Sequence, residues 1–333
     1  MKKFINDPFD FVEELTEGII KAHGDYYRAD KGDLRIIVRQ DAPIKGKVAI
    51  ATGGGSGHLP VFMGYVGKGL ADGACIGNVF SSPSAGQMKR VTKAIDGGAG
   101  VLYLYGRYQG DMMNFNSAAA ESIKNGIRVE SVIVSDDVAS APPERHSERR
   151  GVAGIFFAYK IAGAMANEMA SLDEVKRVTQ KAVDNTRSLG IALGPCTIPL
   201  VGKPNFEISD DEMEIGMGIH GEQGVERVKM RTADEIAATL VDRVVNDMPF
   251  VAGDEVAVLV NSLGATPLEE LYVLYRKIDE LLREKGLVLH RPYVGRYACS
   301  MEMQGMSLSL MKLDDELKRL LDAPADSPFF KQF

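Results

Sequence analysis

Residues 47–60, KVAIATGGGSGHLP, set an apolar run, KVAIA, directly before Gly53, Gly54, Gly55, Ser56, Gly57 and His58. The run reads as a buried strand ending at Ala51, and the glycines as the turn that follows it. Without β-carbons a backbone can take positive φ and come close to a ligand, and a short polar loop leaves N–H groups free to donate. Ligands of open α/β sheets bind at the ends of strands, so the stretch predicts a small-ligand cradle with His58 at its exit. Neither common phosphate motif fits. A P-loop closes on Lys-Ser/Thr, and a dinucleotide fingerprint opens a helix with G-x-x-G spacing. Here His58, Leu59 and Pro60 follow, and Pro60 lacks an N–H and biases Leu59 away from helix.

Working outward, residues 8–23 predict an amphipathic helix, followed by a β-rich stretch, RIIVRQDAP. Beyond the glycines come a helix near 84–95, the strand GVLYLY, the helix NFNSAAAESIKN and the strand VESVIVSDDVA. Strands that alternate with helices predict a covered, largely parallel sheet. Residues 139–150, ASAPPERHSERR, predict a surface loop that could serve as a lid or an interface. A long helical region over 152–188 then leads into LGIALGPCTIPLVGKP, whose Gly and Pro residues mark a domain boundary. EVAVLVNSLGATPLEELYVLYRKIDELLREKG reads as a buried strand, a turn and an amphipathic helix of a second unit. The expected fold is two α/β domains, 1–186 and 187–333, each with a covered, largely parallel or mixed sheet.

The 333 residues are 45% hydrophobic and 26% charged, enough for a sizeable core. The net charge of −7 comes from interspersed acids and bases with no long basic run, which argues against nucleic acid and anionic membranes as partners. The N-terminus meets acidic residues at once and has no apolar targeting segment, so a cytoplasmic protein is expected. Cys75, Cys196 and Cys299 are odd in number and widely spaced, suggesting inert thiols rather than disulfides or zinc ligands. The five histidines show no helical metal spacing. No cofactor or metal is expected on this chain.

Two further residues stand out. Asp111, in GVLYLYGRYQGDMMNF, follows a glycine-containing loop between strand and helix, where a carboxylate either caps the helix or points into the crevice beside the glycine stretch. His220, in EIGMGIHGEQG, stands among Gly216, Gly218, Gly221 and Gly224 with Glu222 close behind, which reads as a presented, oriented ring. A neutral imidazole can act as nucleophile or base, and a carboxylate on its other nitrogen would fix the tautomer. From the residues alone the ligand is a small polar molecule, and a hydrolase, an isomerase or a phosphotransferase all remain open.

The ordered blocks GGGSGH with Pro60, GYVG at 64–67, SSPSAGQ, GDMMNF at 110–115, RRGVAG, IALGPCTIP, GKPNF, GIHGE and VNSLGATPLEELY together resemble the dihydroxyacetone kinase family, over its substrate-binding K subunit and nearly end to end. The resemblance implies a ketose held by a hemiaminal bond from His220 to the carbonyl carbon. Asp111 would accept the proton of the attacked hydroxyl, and His58 would bond the substrate and support its charge. Gly53, Gly54, Gly55, Ser56, Gly57, Arg107 and Gly110 would help seat it. It also implies a homodimer and a nucleotide-bearing L subunit or domain that holds ATP or ADP with Mg²⁺. That subunit would be loaded directly or recharged by a phosphorylated multiphosphoryl subunit of the phosphotransferase system. Because the sequence ends soon after DAPADSPFF, a separate L partner is expected.

The chain departs from the family pattern at Leu59 and Asn78, where glutamate is usual, and at Gly106 and Arg107, where a Lys-Asn pair is usual. Gly106 removes a donor and bulk from the pocket region, which suggests a substrate larger than dihydroxyacetone, such as the four-carbon ketose erythrulose. Some relatives are sensors that activate a transcriptional regulator. Retention of His220, Asp111 and His58 together favours catalysis, since a sensor need not keep a base. The lack of a G-x-S-x-G elbow argues against an α/β hydrolase.

Overall fold

The computed structural model describes residues 2–30 and 32–333. After α1 (Phe11–Ala22), a first sheet is built from β1 (Tyr27–Asp30), β2 (Asp33–Arg39), β3 (Ala49–Ser56), β4 (Gly73–Val79), β5 (Val101–Gly106) and β6 (Val129–Val134). Their order is β1-β2-β4-β3-β5-β6, with β4, β3, β5 and β6 parallel and β1 and β2 antiparallel at one edge. α2 (Ala85–Ile95) and α3 (Gln109–Lys124) cover one face. A Ser84/Gln87 capping box starts α2. Along β5, Val101, Tyr103 and Tyr105 pack toward these helices and Leu102 and Leu104 toward the other face, so VLYLY is apolar throughout because both faces are covered.

The other face packs on α4 (Ile155–Asn167) and α5 (Leu172–Asp184). Those helices are shared with a second sheet, made of β7 (Thr186–Gly194), β8 (Glu212–Ile215), β9 (Glu226–Lys229), β10 (Glu255–Ser262), β11 (Val288–Gly295) and β12 (Gln304–Leu313). Ala257, Leu259 and Met311 join Phe156, Phe157, Val175 and Val178 in one core, which α8 (Asp315–Asp322) completes. Val256, Val258 and Val260 point the opposite way, under α6 (Ala233–Asp247) and α7 (Leu268–Glu284). The order of this sheet is β11-β10-β12-β7-β8-β9, and only the β10/β11 pair is parallel. The expected α/β class with mixed, covered sheets is what the chain forms. A short hairpin, β13 (Ala325–Ser327) with β14 (Phe330–Gln332), closes the chain.

Three local readings are corrected. The helical region expected over 152–188 is two helices, and its last residues already belong to β7; the drawn boundary at 186/187 falls on that strand's first residue. Arg187 and Ser188 disguise the strand because their polar groups are used internally: Arg187 pairs with Asp247 at 2.7 Å, and Ser188 bonds Asp136 and Ser309. α3 begins at Gln109, five residues before the expected start, so Asp111 lies within its first turn and is not its cap; Tyr108 is the N-cap. Gly53, Gly54 and Gly55 are strand, not turn. Residues 139–150 lie at the surface as expected, with a 3₁₀ turn over Pro143–Glu148, but their C-terminal end is anchored. Arg149 is fully buried in a bidentate pair with Asp247 at 2.6 Å, and Arg150 bonds Asp137 at 2.7 Å.

Candidate active site

β3 pairs with β5 only through Ala51, but with β4 through Gly53, Gly54, Gly55 and Ser56. The glycine half of the strand therefore bears on one neighbour alone, and a crevice opens toward the C-terminal end of β5. The chain leaves β3 toward β4 on one side and leaves β5 through α3 toward β6 on the other, so the crevice is the switch point of the sheet. The glycines serve close approach. A β-carbon on Gly54 would stand 2.2 Å from the Phe62 ring, and one on Gly55 2.5 Å from the Ser81 backbone. Only at Gly57, with φ +100°, does the chain use glycine's conformational freedom to turn toward His58.

His58 is buried and stacked on Phe80, with ring centroids 4.9 Å apart. Its Nδ1 lies 2.8 Å from the Cys299 carbonyl, which can only accept, so Nδ1 carries the proton and Nε2 is a bare acceptor. Nε2 has no partner. Burial, and then the nearby His220, push the His58 pKa down to about 3, so the ring is neutral.

His220 arrives from the second sheet on the loop after β8, with Gly216 at φ +83° and Gly221 at φ +87°. Its Nδ1 is 2.9 Å from Glu222 Oε1, its backbone N–H donates to Glu222 Oε2 at 2.9 Å, and Asn205 donates to its carbonyl. Glu222 is thus the carboxylate that fixes the ring. Burial alone would raise the Glu222 pKa, but the His220 ring and two backbone N–H groups outweigh it and hold the group at about 2. A neutral His220 then carries its proton on Nδ1 and leaves Nε2 as a nucleophile. Gly218 makes room: a β-carbon there would stand 2.1 Å from Glu222 Oε2 and 2.5 Å from Arg150 Nη1.

Asp111 is 7% exposed, and its Oδ1 is buried without a partner. Burial pushes its pKa up to about 6, against the opposing pull of the Ser82 hydroxyl and of His220. Gly55, His58, Phe62, Gly106, Tyr108, Asp111, Ile219 and His220 form much of the wall of one cavity of about 30 Å³. That is room for about two water molecules, the scale of a ligand with few heavy atoms. An apolar groove of about 240 Å³ beside α6 and α7 is larger, but the unpartnered polar atoms converge on the smaller cavity.

The structure thus brings together His58, Asp111, His220 and Gly55. Gly53, Gly54, Ser56, Gly57, Arg107 and Gly110 are not in the cavity wall. Arg107 acts electrostatically on Tyr105, and Gly53 packs against Cys75. Of the departures from the family pattern only Gly106 reaches the wall. Asn78 accepts from Arg35 at 2.7 Å on an exposed edge, and Leu59 packs against the main core. Sequence reasoning missed Tyr108, whose ring centroid is 4.6 Å from that of His220 and whose hydroxyl donates to Gly151, and also Phe80, 5.2 Å from His220. Among the described residues no group of His, Cys, Asp and Glu could hold a metal ion, and no helix is long and apolar enough to cross a membrane.

The Dak1 domain model matches residues 17–329. The dihydroxyacetone-binding subunit DhaK of PTS-dependent dihydroxyacetone kinase 2 from Listeria innocua is 46% identical over 99% of both chains. A D-erythrulose kinase of Mycolicibacterium smegmatis is 44% identical over all of this chain, which spans 57% of that enzyme. Among solved structures, the dihydroxyacetone kinase of C. freundii in complex with AMP-PNP and Mg²⁺ superposes with a TM-score of 0.90 at 30% identity, over 99% of this chain and 61% of the kinase. The dihydroxyacetone kinase operon co-activator Dha-DhaQ does so with a TM-score of 0.90 at 30% identity, over 96% and 98%. The chain belongs to the Dak1 domain family and, within it, to the DhaK group.

Proposed function

We propose that the chain is the ketose-binding subunit of a dihydroxyacetone-type kinase, and that it captures a short ketose covalently on His220. The observation that carries the reading is an imidazole whose Nδ1 is tied to Glu222, facing a cavity that also holds a neutral histidine and an aspartate whose Oδ1 has no partner. His220 Nε2 attacks the carbonyl carbon, and the π pair moves onto the oxygen. The imidazolium that forms beside the ionised Glu222 loses its Nδ1 proton to solvent as the new alkoxide gains one from solvent, so no net proton is consumed and the hemiaminal is neutral. A ketone accepts this attack and an alcohol does not, so capture separates a ketose from glycerol. Neutral His58 has no charge to lend. Its Nε2 accepts a substrate hydroxyl instead, while Asp111, ionised above about pH 6, receives the proton of the hydroxyl that is phosphorylated.

Phosphoryl transfer depends mainly on alignment and charge neutralisation. We assign the nucleotide and Mg²⁺ to a separate L subunit, charged by ATP or through a phosphorylated multiphosphoryl subunit, in a cytoplasmic complex that contains a homodimer of this chain. The end-to-end match to a subunit of a PTS-dependent kinase supports this arrangement. The match to D-erythrulose kinase supports a four-carbon ketose beside dihydroxyacetone. A second reading, a ketose sensor that activates a regulator, draws on the likeness to the co-activator; the buried Asp111, whose Oδ1 has no partner, favours the kinase. The test is carbon NMR with dihydroxyacetone and erythrulose labelled at the carbonyl carbon. The bound ketone signal should move to a tetrahedral carbon in the wild type and not in His220→Ala. Absence of that carbon with both ketoses would overturn the reading.

A further inference from the structure

We infer that the turn at 297–301, clamped by Asn261, sets the distance between the two site histidines, with Asn261 and Ser300 as positioning residues for His58 and His220. Asn261 is fully buried in β10, although a strand interior disfavours asparagine and a buried carboxamide is costly unless all its hydrogen bonds are made. Here they are all made. Oδ1 accepts from the N–H groups of Tyr297 and Ala298 at 2.8 and 2.9 Å, while Nδ2 donates to the Ala298 carbonyl at 2.8 Å and to Ser307 at 3.1 Å. The side chain therefore fixes the backbone of the turn rather than packing a core.

The next two residues reach the two histidines. The Cys299 carbonyl holds His58 Nδ1 at 2.8 Å, and the Met301 N–H donates to Gly57 at 2.7 Å. Between them the Ser300 hydroxyl, fully buried, donates at 2.5 Å to the carbonyl of Ile219, the residue before His220. The Ser300 N–H is itself anchored on Leu263 at 2.7 Å. One short turn thus grips the end of β3 on one side and the histidine loop of the second sheet on the other, and the two rings meet at 4.8 Å between centroids. A released Cys299 carbonyl would also free His58 to take the opposite tautomer, which would present a donor where the site has an acceptor.

The inference rests on His58 and His220 being the working pair, and its test reads the rings themselves beside ketone capture, so that a failure of capture can be told apart. Protein labelled with ¹⁵N at the histidine rings is compared as wild type, Ser300→Ala, Asn261→Ala and Ser309→Ala. Ser309 is an equally buried serine on β12, bonded to Ser188, and serves as a control for the loss of a buried hydroxyl. In Ser300→Ala the His220 ring resonances should move, and ketone capture should weaken by on the order of tenfold or more, as small misplacements of reacting groups do. In Asn261→Ala, if it folds, His58 should lose its single Nδ1–H tautomer. Ser309→Ala should match wild type in both readouts. Folded Ser300→Ala with unchanged ring resonances and capture overturns the inference. A wild type that captures no ketone, but whose rings respond to Ser300→Ala, overturns the functional reading and supports the positioning role.

Discussion

His58 and His220 meet with ring centroids 4.8 Å apart, one from the end of β3 and one from the loop after β8, although neither sheet alone contains the pair. So close together, and with His58 buried, the rings cannot readily share positive charge; burial first and His220 second keep His58 neutral with a pKa of about 3. The unfolded chain, with a histidine near 6.5, binds more protons than the folded one between pH 6.5 and 3, so His58 makes stability fall as the pH falls through that window. Asp111, with its raised pKa, tilts the curve the other way. The difference between wild type and His58→Gln therefore isolates the histidine. Urea unfolding at pH 6.5 and 4.5 should show the variant losing less stability than wild type on acidification, by up to about 1.4 kcal/mol per pH unit. Parallel curves, or a His58 resonance titrating near pH 6, would refute the neutral ring.

Glu222 supplies what a nucleophilic His220 requires, a fixed Nδ1–H and a negative charge beside the imidazolium that forms during attack. Its pKa of about 2 keeps it ionised throughout the neutral range, so capture should not lose Glu222 as the pH is lowered toward 5. Glu222→Gln retains an acceptor and removes the charge. We expect ketone affinity, read by titration of the tetrahedral carbon signal, to weaken roughly ten- to hundredfold, the scale on which partners of ligating imidazoles act. Affinity equal to wild type would leave Glu222 a role in loop structure alone.

The histidine loop was legible because its signals are local: glycines on both sides of His220 and an acid two residues on. The crevice was legible because a strand running into glycines ends at a sheet's carboxyl edge. What those glycines do was not legible, since composition cannot distinguish a glycine that turns the chain from one that lets Phe62 press on a strand, and at Gly54 it is the second. Nor could the sequence show which departures from the family pattern matter, because Leu59 and Asn78 adjoin site motifs yet face elsewhere. Cys299 and Ser300 act on the site through a backbone carbonyl and a single hydroxyl from more than 200 residues beyond His58 in the sequence, a relationship that only the packed second sheet creates.

Asp111 separates capture from phosphorylation. Its carboxylate is held near pKa 6 chiefly by burial, so it is largely ionised at pH 7 and largely protonated at pH 5. Asp111→Asn should leave the tetrahedral carbon signal intact while lowering turnover, measured with the nucleotide-bearing partner, by about a hundredfold. Wild-type turnover should fall as the pH drops through 6. A variant that turns over like wild type would place the base elsewhere, and one that loses capture as well would make Asp111 a binding group.

Gly106 offers the clearest handle on substrate size. A β-carbon there would stand 3.1 Å from the Tyr108 ring and 3.3 Å from the Gly151 carbonyl, the same carbonyl to which Tyr108 donates at 3.0 Å. The room that a side chain at 106 would occupy is thus bordered by Tyr108, whose ring in turn borders His220. No positive φ is required at this glycine, so Gly106→Ala adds bulk without backbone strain and should cost no more than about 1–2 kcal/mol of stability. The added methyl crowds the Tyr108 ring, which borders the ketose site. A four-carbon ketose has more to lose from that than dihydroxyacetone, so the ratio of their affinities should shift toward dihydroxyacetone by roughly threefold or more, since one methylene in a tight pocket is worth about 1–3 kcal/mol. Carbon NMR titrations of both labelled ketoses against wild type and Gly106→Ala measure the ratio directly. An unchanged ratio would mean that the fourth carbon lies away from Gly106, and that the glycine does not select for size.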